Sequence, residues 1–274
     1  MRTAAERALN ASNPDLAAPA LAPGGAEGPC VTPPTLAADG ASAAPSAILQ
    51  TLILQTWLSP AFPVGAFAYS HGLEWAVEDG TVRDLGSLTA WLDGVVRQGT
   101  GRSDMILLAH AWRAVAADDD AGLVSVAALA AALQPTRERR LESLAQGEAF
   151  LKAVRQTWPG DGVEAVVERL AAAGLQAALP VAVGAISAAH RLALPATIAS
   201  ALTAFVANLS SAAVRLVPLG QTDGQRAVAA LMPVVIAVAS EAEAATLDDI
   251  GGASLRADIA SARHETQYTR LFRS

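Results

Sequence analysis

From Ser46 onward, apolar residues recur every three or four positions along almost the whole chain, the period of a helix with one face buried. Ile48, Leu49, Leu52, Ile53 and Trp57 follow Ser46, whose hydroxyl is placed to cap a helix over them. Ser59-Pro60 stops that helix. "SPAFPVGAF" then reads as a loop, and "AYSHGLEWAVEDG" resumes a helix that ends at Gly80. Further helices are predicted over Asp84–Gln98, Ser103–Ala117 and Ala121–Leu133. Thr136 caps "RERRLESLAQGEAFLKAVRQTW", which Pro159-Gly160 terminates. Val163–Ala173, Val181–Leu192, Ala196–Leu216 and Gln221–Ala244 continue the series, and a last helix runs from Ser254 to about Gln267.

No segment shows sustained two-residue alternation rich in β-branched residues, so the pattern requires no strand. About ten helices with short connections predict an all-α fold, a single globular domain over residues 46–274. No internal period marks a solenoid. Residues 1–45 are different: rich in Ala, Pro, Gly, Ser and Thr, with few large apolar residues, they are expected to form a disordered leader.

One run imitates a membrane span. Leu192 to Val214 holds no charged residue over a length sufficient to cross a bilayer. Its Ala, Ser and Thr content, Asn208 and Pro195, and the lack of aromatic belts instead predict a buried helix needing cover on all sides, by a large core or a second subunit. No membrane span is expected.

Composition narrows the function classes. The 274 residues are 52% hydrophobic but only 4% aromatic, so the core must be largely Ala, Leu and Val, which favours helices. A net charge of -7 disfavours a nucleic-acid binder, which needs a basic face to displace counterions. Cys30 is the one cysteine, excluding a disulfide framework and a cysteine metal cluster. The first residues lack the apolar core of a secretory signal, so a cytoplasmic location is expected.

Chemistry-bearing patterns are sparse. His71 and Glu74 share a helical face and His264 stands beside Glu265, but the four histidines at 71, 110, 190 and 264 give no second ligand pair of metal-site spacing. "GQTDGQR" lacks the pattern of a nucleotide-phosphate loop, and no nucleophile elbow occurs. The chain is therefore expected to be no enzyme and to bind no metal or cofactor directly.

Three polar clusters remain: "SPAFPVGAFAYSHGLE" (59–74), "AAVRLVPLGQTDGQR" (212–226) and "HETQYTRLFRS" (264–274). In the last, Arg270 and Arg273 join Arg263 against Glu265, with Tyr268, Leu271 and Phe272 as apolar anchors, a mixture suited to a protein interface. In this order the clusters are similar to the signatures of the urease accessory protein F family, "SPxxPVGxFxYSxGLE", "RLxPLGQTDGQ" and "HExQYxRLFRS". The likeness runs in register from about Leu49 to Ser274.

The resemblance implies an all-helical, non-catalytic adaptor for urease maturation. It would dimerise and assemble with urease accessory proteins D (also called H) and G and with apo-urease. GTP hydrolysis by the G protein would be coupled to nickel insertion, with nickel and GTP acting through the partners. Carried onto this sequence, it implies partner contacts at Glu265, Tyr268 and Arg270 in the tail, with Phe67 and Tyr69 as their neighbours, and at the junction of Gln221, Asp223, Gln225 and Arg226. The tail is expected to be mobile in the free protein and ordered by its partner.

Overall fold

The computed structural model describes residues 44–274, all of which belong to one compact unit. The leader expected over residues 1–45 lies, but for its last two residues, outside the described residues. The helices are α1 (Ala47–Trp57), α2 (Leu73–Glu78), α3 (Leu85–Gln98), α4 (Thr100–Ala116), α5 (Asp120–Ala132), α6 (Arg137–Thr157), α7 (Asp161–Ala172), α8 (Leu179–Ala189), α9 (Leu194–Leu216), α10 (Gln221–Ala244) and α11 (Leu255–His264). Short 3-10 turns lie at Ala66–Ala68 and Leu247–Asp249, and the described residues contain no strand. The fold is all-α, as the apolar period predicts.

Local chemistry accounts for most boundaries. Ser46 Oγ accepts from Leu49 N at 3.3 Å and Thr136 Oγ1 from Arg139 N at 3.2 Å, each satisfying an amide that the first helical turn leaves free. Boundaries elsewhere shift by up to three residues, as at Thr100 (expected Ser103) and Ala189 (expected Leu192), and two differences bear on the site. α2 begins only at Leu73, because His71 and Gly72 adopt left-handed backbone (φ 56° and 75°) that breaks the helix expected from Ala68. α11 ends at His264 rather than near Gln267, because the chain turns there to lay the tail against the body.

At the centre stands α8, buried from Pro180 to Ala188. It packs along α4 and α6, and at the α4 crossing a Cβ on Gly184 would lie 2.2 Å from Leu108 O, so the two backbones meet through that glycine. The helix covered on all sides is thus α8, and not the longer uncharged segment expected to need such cover. α9 and α10 are each long and apolar enough, by length and composition, to cross a membrane. They pack along each other, and α9 buries Ile198, Leu202, Val206 and Leu209 while α10 buries Leu231, Val235 and Val238. Their other faces are partly open.

α6 has an unusual buried face. Its later turns contribute Phe150, Ala153 and Val154 to the core, with the Trp57 ring edge-on to Phe150 at 5.7 Å. Its first turns bury Arg139, Glu142, Ser143 and Gln146 on the same stripe. That polar half faces His71, α11 and the tail.

Candidate functional site

The three sequence clusters are unequal in the fold: the first and last meet, while the second adjoins them through Arg215. Two prolines and Gly65 carry the chain from α1 into the Ala66–Ala68 turn, then through Ser70, His71 and Gly72 into α2. α11 packs on α2, and a Cβ on Gly72 would lie 2.6 Å from Ser261 N, so only glycine admits that approach.

Glu74 is the main anchor of the tail. Its Oε1 accepts from Leu271 N at 2.6 Å, and its Oε2 accepts from Phe272 N at 2.9 Å and faces His264 Nε2 at 3.0 Å. A buried carboxylate taking two backbone amides is well satisfied, which a side chain only 8% exposed requires. Ser70 secures the end of the tail: its N donates to Ser274 O at 2.8 Å and its hydroxyl donates to the same oxygen. Arg273 N donates to Ala68 O at 2.8 Å. The tail, expected to be ordered by a partner, lies here on the chain's own body, with Phe272 and Ser274 buried.

Two further carboxylates come from α6. Glu138 Oε1 accepts from Arg270 at 2.6 Å, and its Oε2 faces His264 Nδ1 at 2.7 Å. Glu142 pairs with Arg139, lies 2.7 Å from His71 Nε2, and accepts from Ser274 Oγ at 2.5 Å. Burial opposes charge on Glu142, but Arg139, His71 and the hydrogen bonds from His71 and Ser274 outweigh it and hold its carboxyl down at about 2. Burial, reinforced by Arg139, pushes the His71 pKa below the ordinary imidazole value against the pull of Glu142, so His71 is neutral and donates through Nε2. His71 therefore turns to Glu142 while Glu74 and His264 pair with each other, and the described residues hold no cluster of three metal-ligating side chains.

The predicted contact residues divide by position. Tyr268 is fully exposed, and Leu271 (64%) and Phe67 (67%) are largely so. Arg270 lies beside Glu138, not beside Phe67 as expected, because the tail crosses α6 before reaching the first motif. The neighbours of Phe67 are Arg215, stacked 3.6 Å from its ring centre, and through that guanidinium Phe272, at 4.3 Å. Tyr69 is half-buried. Glu265 Oε1 accepts from Glu138 N at 3.2 Å, placing a negative charge at the N-terminus of α6.

At the α9–α10 junction, Asp223 Oδ2 accepts from Gly220 N at 3.3 Å and Oδ1 accepts from Arg226 at 2.8 Å, leaving Gln221 and Gln225 exposed. Asp223 thus closes the start of α10 from inside the helix.

Comparison with known proteins fits this arrangement. The UreF family model matches residues 82–232. A urease accessory protein UreF of Rhodopseudomonas palustris (strain BisB5) is 56% identical over 88% of this chain and 98% of its own length. This chain belongs to the UreF family. Other UreF proteins agree, from Methylorubrum populi at 52% identity (83% of this chain, all of the relative) and from Xanthobacter autotrophicus at 53% (86% and 96%). The span matched by the UreF model includes the α9–α10 junction but neither the 59–74 motif nor the tail, whose joining is seen in the structure.

Ser70, Glu138, Glu142 and Arg215 were not singled out from sequence. Ser70 and Arg215 sit inside the quoted motifs as unremarked neighbours. Glu138 and Glu142 lie in α6, far from any motif, and only the three- to four-residue spacing of Arg139, Glu142 and Gln146 ahead of Phe150 marks them as inward-facing.

Proposed function

We propose that this protein serves urease maturation as a non-catalytic adaptor, docking the D/H accessory protein through its tail face and recruiting the G protein, whose GTP hydrolysis drives nickel insertion into apo-urease. Membership of the UreF family supports the maturation role. The observation that carries the docking surface is the outward display of Tyr268 and Leu271 from a tail whose backbone and Phe272 are pinned underneath, with Phe67 of the first motif exposed on the same chain. Interfaces draw most of their energy from a few aromatic and arginine anchors held on a rigid base, and Arg263 and Arg273 supply exposed positive charge on an otherwise acidic protein. Self-association is part of the same reading: Ala229, Pro233 and Ile236 form an exposed apolar stripe along α10 at helical spacing. The junction of Gln221, Gln225 and Arg226 offers a further polar contact.

Co-purification of the full chain with the D/H and G accessory proteins, with and without GTP, tests this reading. A ternary complex that depends on the tail face is expected. Full urease activation by a variant lacking the exposed anchors Tyr268 and Leu271 would overturn it.

A further inference from the structure

We propose that the recess beside His71 is a binding site for one ordered water molecule, which donates a hydrogen bond to His71 Nδ1 and ties the first motif to α11. This goes beyond the adaptor role and concerns the chain by itself. His71 is held on α6 through one ring nitrogen, Nε2, 2.7 Å from Glu142 Oε1. A carboxylate only accepts, so Nε2 carries the hydrogen and the neutral ring keeps its lone pair on Nδ1. That nitrogen is buried and meets no hydrogen-bonding group among the described residues. Turning the ring over would not help, because it would carry Nε2 away from Glu142. The Phe205 ring, packed edge-on at 4.9 Å, holds the imidazole in the same orientation.

The space beside the ring fits. His71 lines a recess of about 20 Å³ between the α3–α4 link, the start of α6 and α11. That is room for one water molecule, which needs roughly 10–15 Å³ of such space and about two to four polar partners. Thr100, Arg139, Ser254 and Asp258 share the walls. Arg139 has N–H groups beyond the one it gives to Glu142, and the Asp258 carboxyl and the Ser254 hydroxyl, which makes no cap bond at the start of α11, supply oxygen acceptors. A water donating to Nδ1 therefore has partners for its remaining bonds. The lone pair could also take a metal ion, but the described residues hold no cluster of three ligating side chains, which favours water.

The backbone gives the site its purpose. His71 adopts φ 56°, a conformation that a side-chain-bearing residue keeps only where its surroundings hold it firmly. Glu142 holds one edge of the ring and Phe205 packs against it, and the water supplies the contact at Nδ1. A continuous path then runs from Ser274 Oγ through Glu142 and His71 to the water and the first turns of α11. It braces the start of α11 as the Glu138–His264 contact braces its end.

The test is nitrogen and proton NMR on the full-length protein at neutral pH. His71 Nδ1 is expected at the shift of an unprotonated nitrogen that accepts a hydrogen bond, with a cross-peak from a long-lived water to the His71 ring proton between the two nitrogens. Ala257 also lines the recess, and Ala257→Val adds bulk to its wall. In that variant the water cross-peak should be lost and Nδ1 should move to the shift of a bare lone pair, while the Nε2 hydrogen stays. A bare lone pair without a water cross-peak in the unaltered protein overturns the proposal, and so does a protonated Nδ1. A Nδ1 shift that changes on adding a chelator assigns a metal ion and overturns it as well. A water signal that survives Ala257→Val places the water outside the recess and overturns the site. Should the variant not fold, the spectra of the unaltered protein decide. Since no accessory protein takes part, failure of the water site and failure of the adaptor reading remain separate results.

Discussion

Gly72 and Ser261 are in backbone contact: a Cβ added to Gly72 would lie 2.6 Å from Ser261 N and 2.9 Å from its Cα. Gly72 also holds φ 75°, which side-chain-bearing residues adopt only with strain. Both constraints act where the first motif meets α11. Gly72→Ala is therefore expected to destabilise the fold by roughly 2–3 kcal/mol, and to loosen α11 and the tail before the rest. Urea unfolding measures the first effect, and amide exchange at Ser261 and Phe272 the second. A normal unfolding midpoint with normal exchange would show that the contact relaxes without cost.

A second expectation concerns the buried pair on α6. Arg139 and Glu142 are 3% and 1% exposed, and the Glu142 carboxyl is held down at about 2. A carboxylate whose pKa is depressed on folding adds stability above its unfolded value, near 4.5, and loses it as pH falls toward 2. His71 acts in the same direction, since burial keeps it neutral while the unfolded chain takes up its proton as pH falls below about 6.5. Replacing Arg139 by Met strands the Glu142 charge in the interior, a change that costs about 3–5 kcal/mol. Chemical denaturation at pH 7 reads that loss directly, and the acid transition of the variant should begin at higher pH.

Helix existence and most caps were legible because Ser46, Thr136 and the Pro-Gly breaks act within a few residues of themselves. The site was legible only in part. The motifs 59–74 and 264–274 stood out as chemistry-rich, but their partners did not, because Glu74 meets Leu271 across nearly two hundred positions and Glu138 meets His264 across more than a hundred. In "RERRLES" nothing local separates the buried Arg139 from the exposed Arg137 and Arg140; the distinction exists only once α6 lies against α11 and the tail. The left-handed step at His71-Gly72 was likewise hidden, since a lone glycine does not by itself end a helix and what requires this one is the close approach of α11.

Asp104 gives a pH effect of opposite sign. Burial raises its carboxyl to about 6, with Glu142 pushing the same way and Arg139 opposing. A pKa raised on folding means that the folded state holds the proton more tightly, so this residue's contribution falls as pH climbs from about 3.8 through 6. Asp104→Asn keeps the shape and removes the charge. It is expected to stabilise the protein at pH 7 by about 1–2 kcal/mol, the side chain being partly open to solvent, and to leave stability at pH 4 little changed. Thermal melts at the two pH values provide the check, and equal shifts at both would assign the effect to packing.

Tyr268 separates docking from folding. Its side chain is fully exposed, so Tyr268→Ala should change stability by less than about 0.5 kcal/mol. An exposed aromatic on an anchored segment is the kind of residue that becomes an interface hot spot, and its removal should weaken capture of the D/H accessory protein by roughly 30-fold if it fills a pocket there. Deleting the tail is a poorer experiment, because it also removes buried Phe272 and Ser274 and leaves Glu74 without its amide donors. Arg270→Ala has the same defect on a smaller scale, since it unpairs Glu138 beside buried His264. An affinity measurement paired with a thermal melt resolves the matter: a normal melt with weakened binding places Tyr268 in the interface, and a normal melt with full binding removes it and shifts attention to Phe67 and the α9–α10 junction.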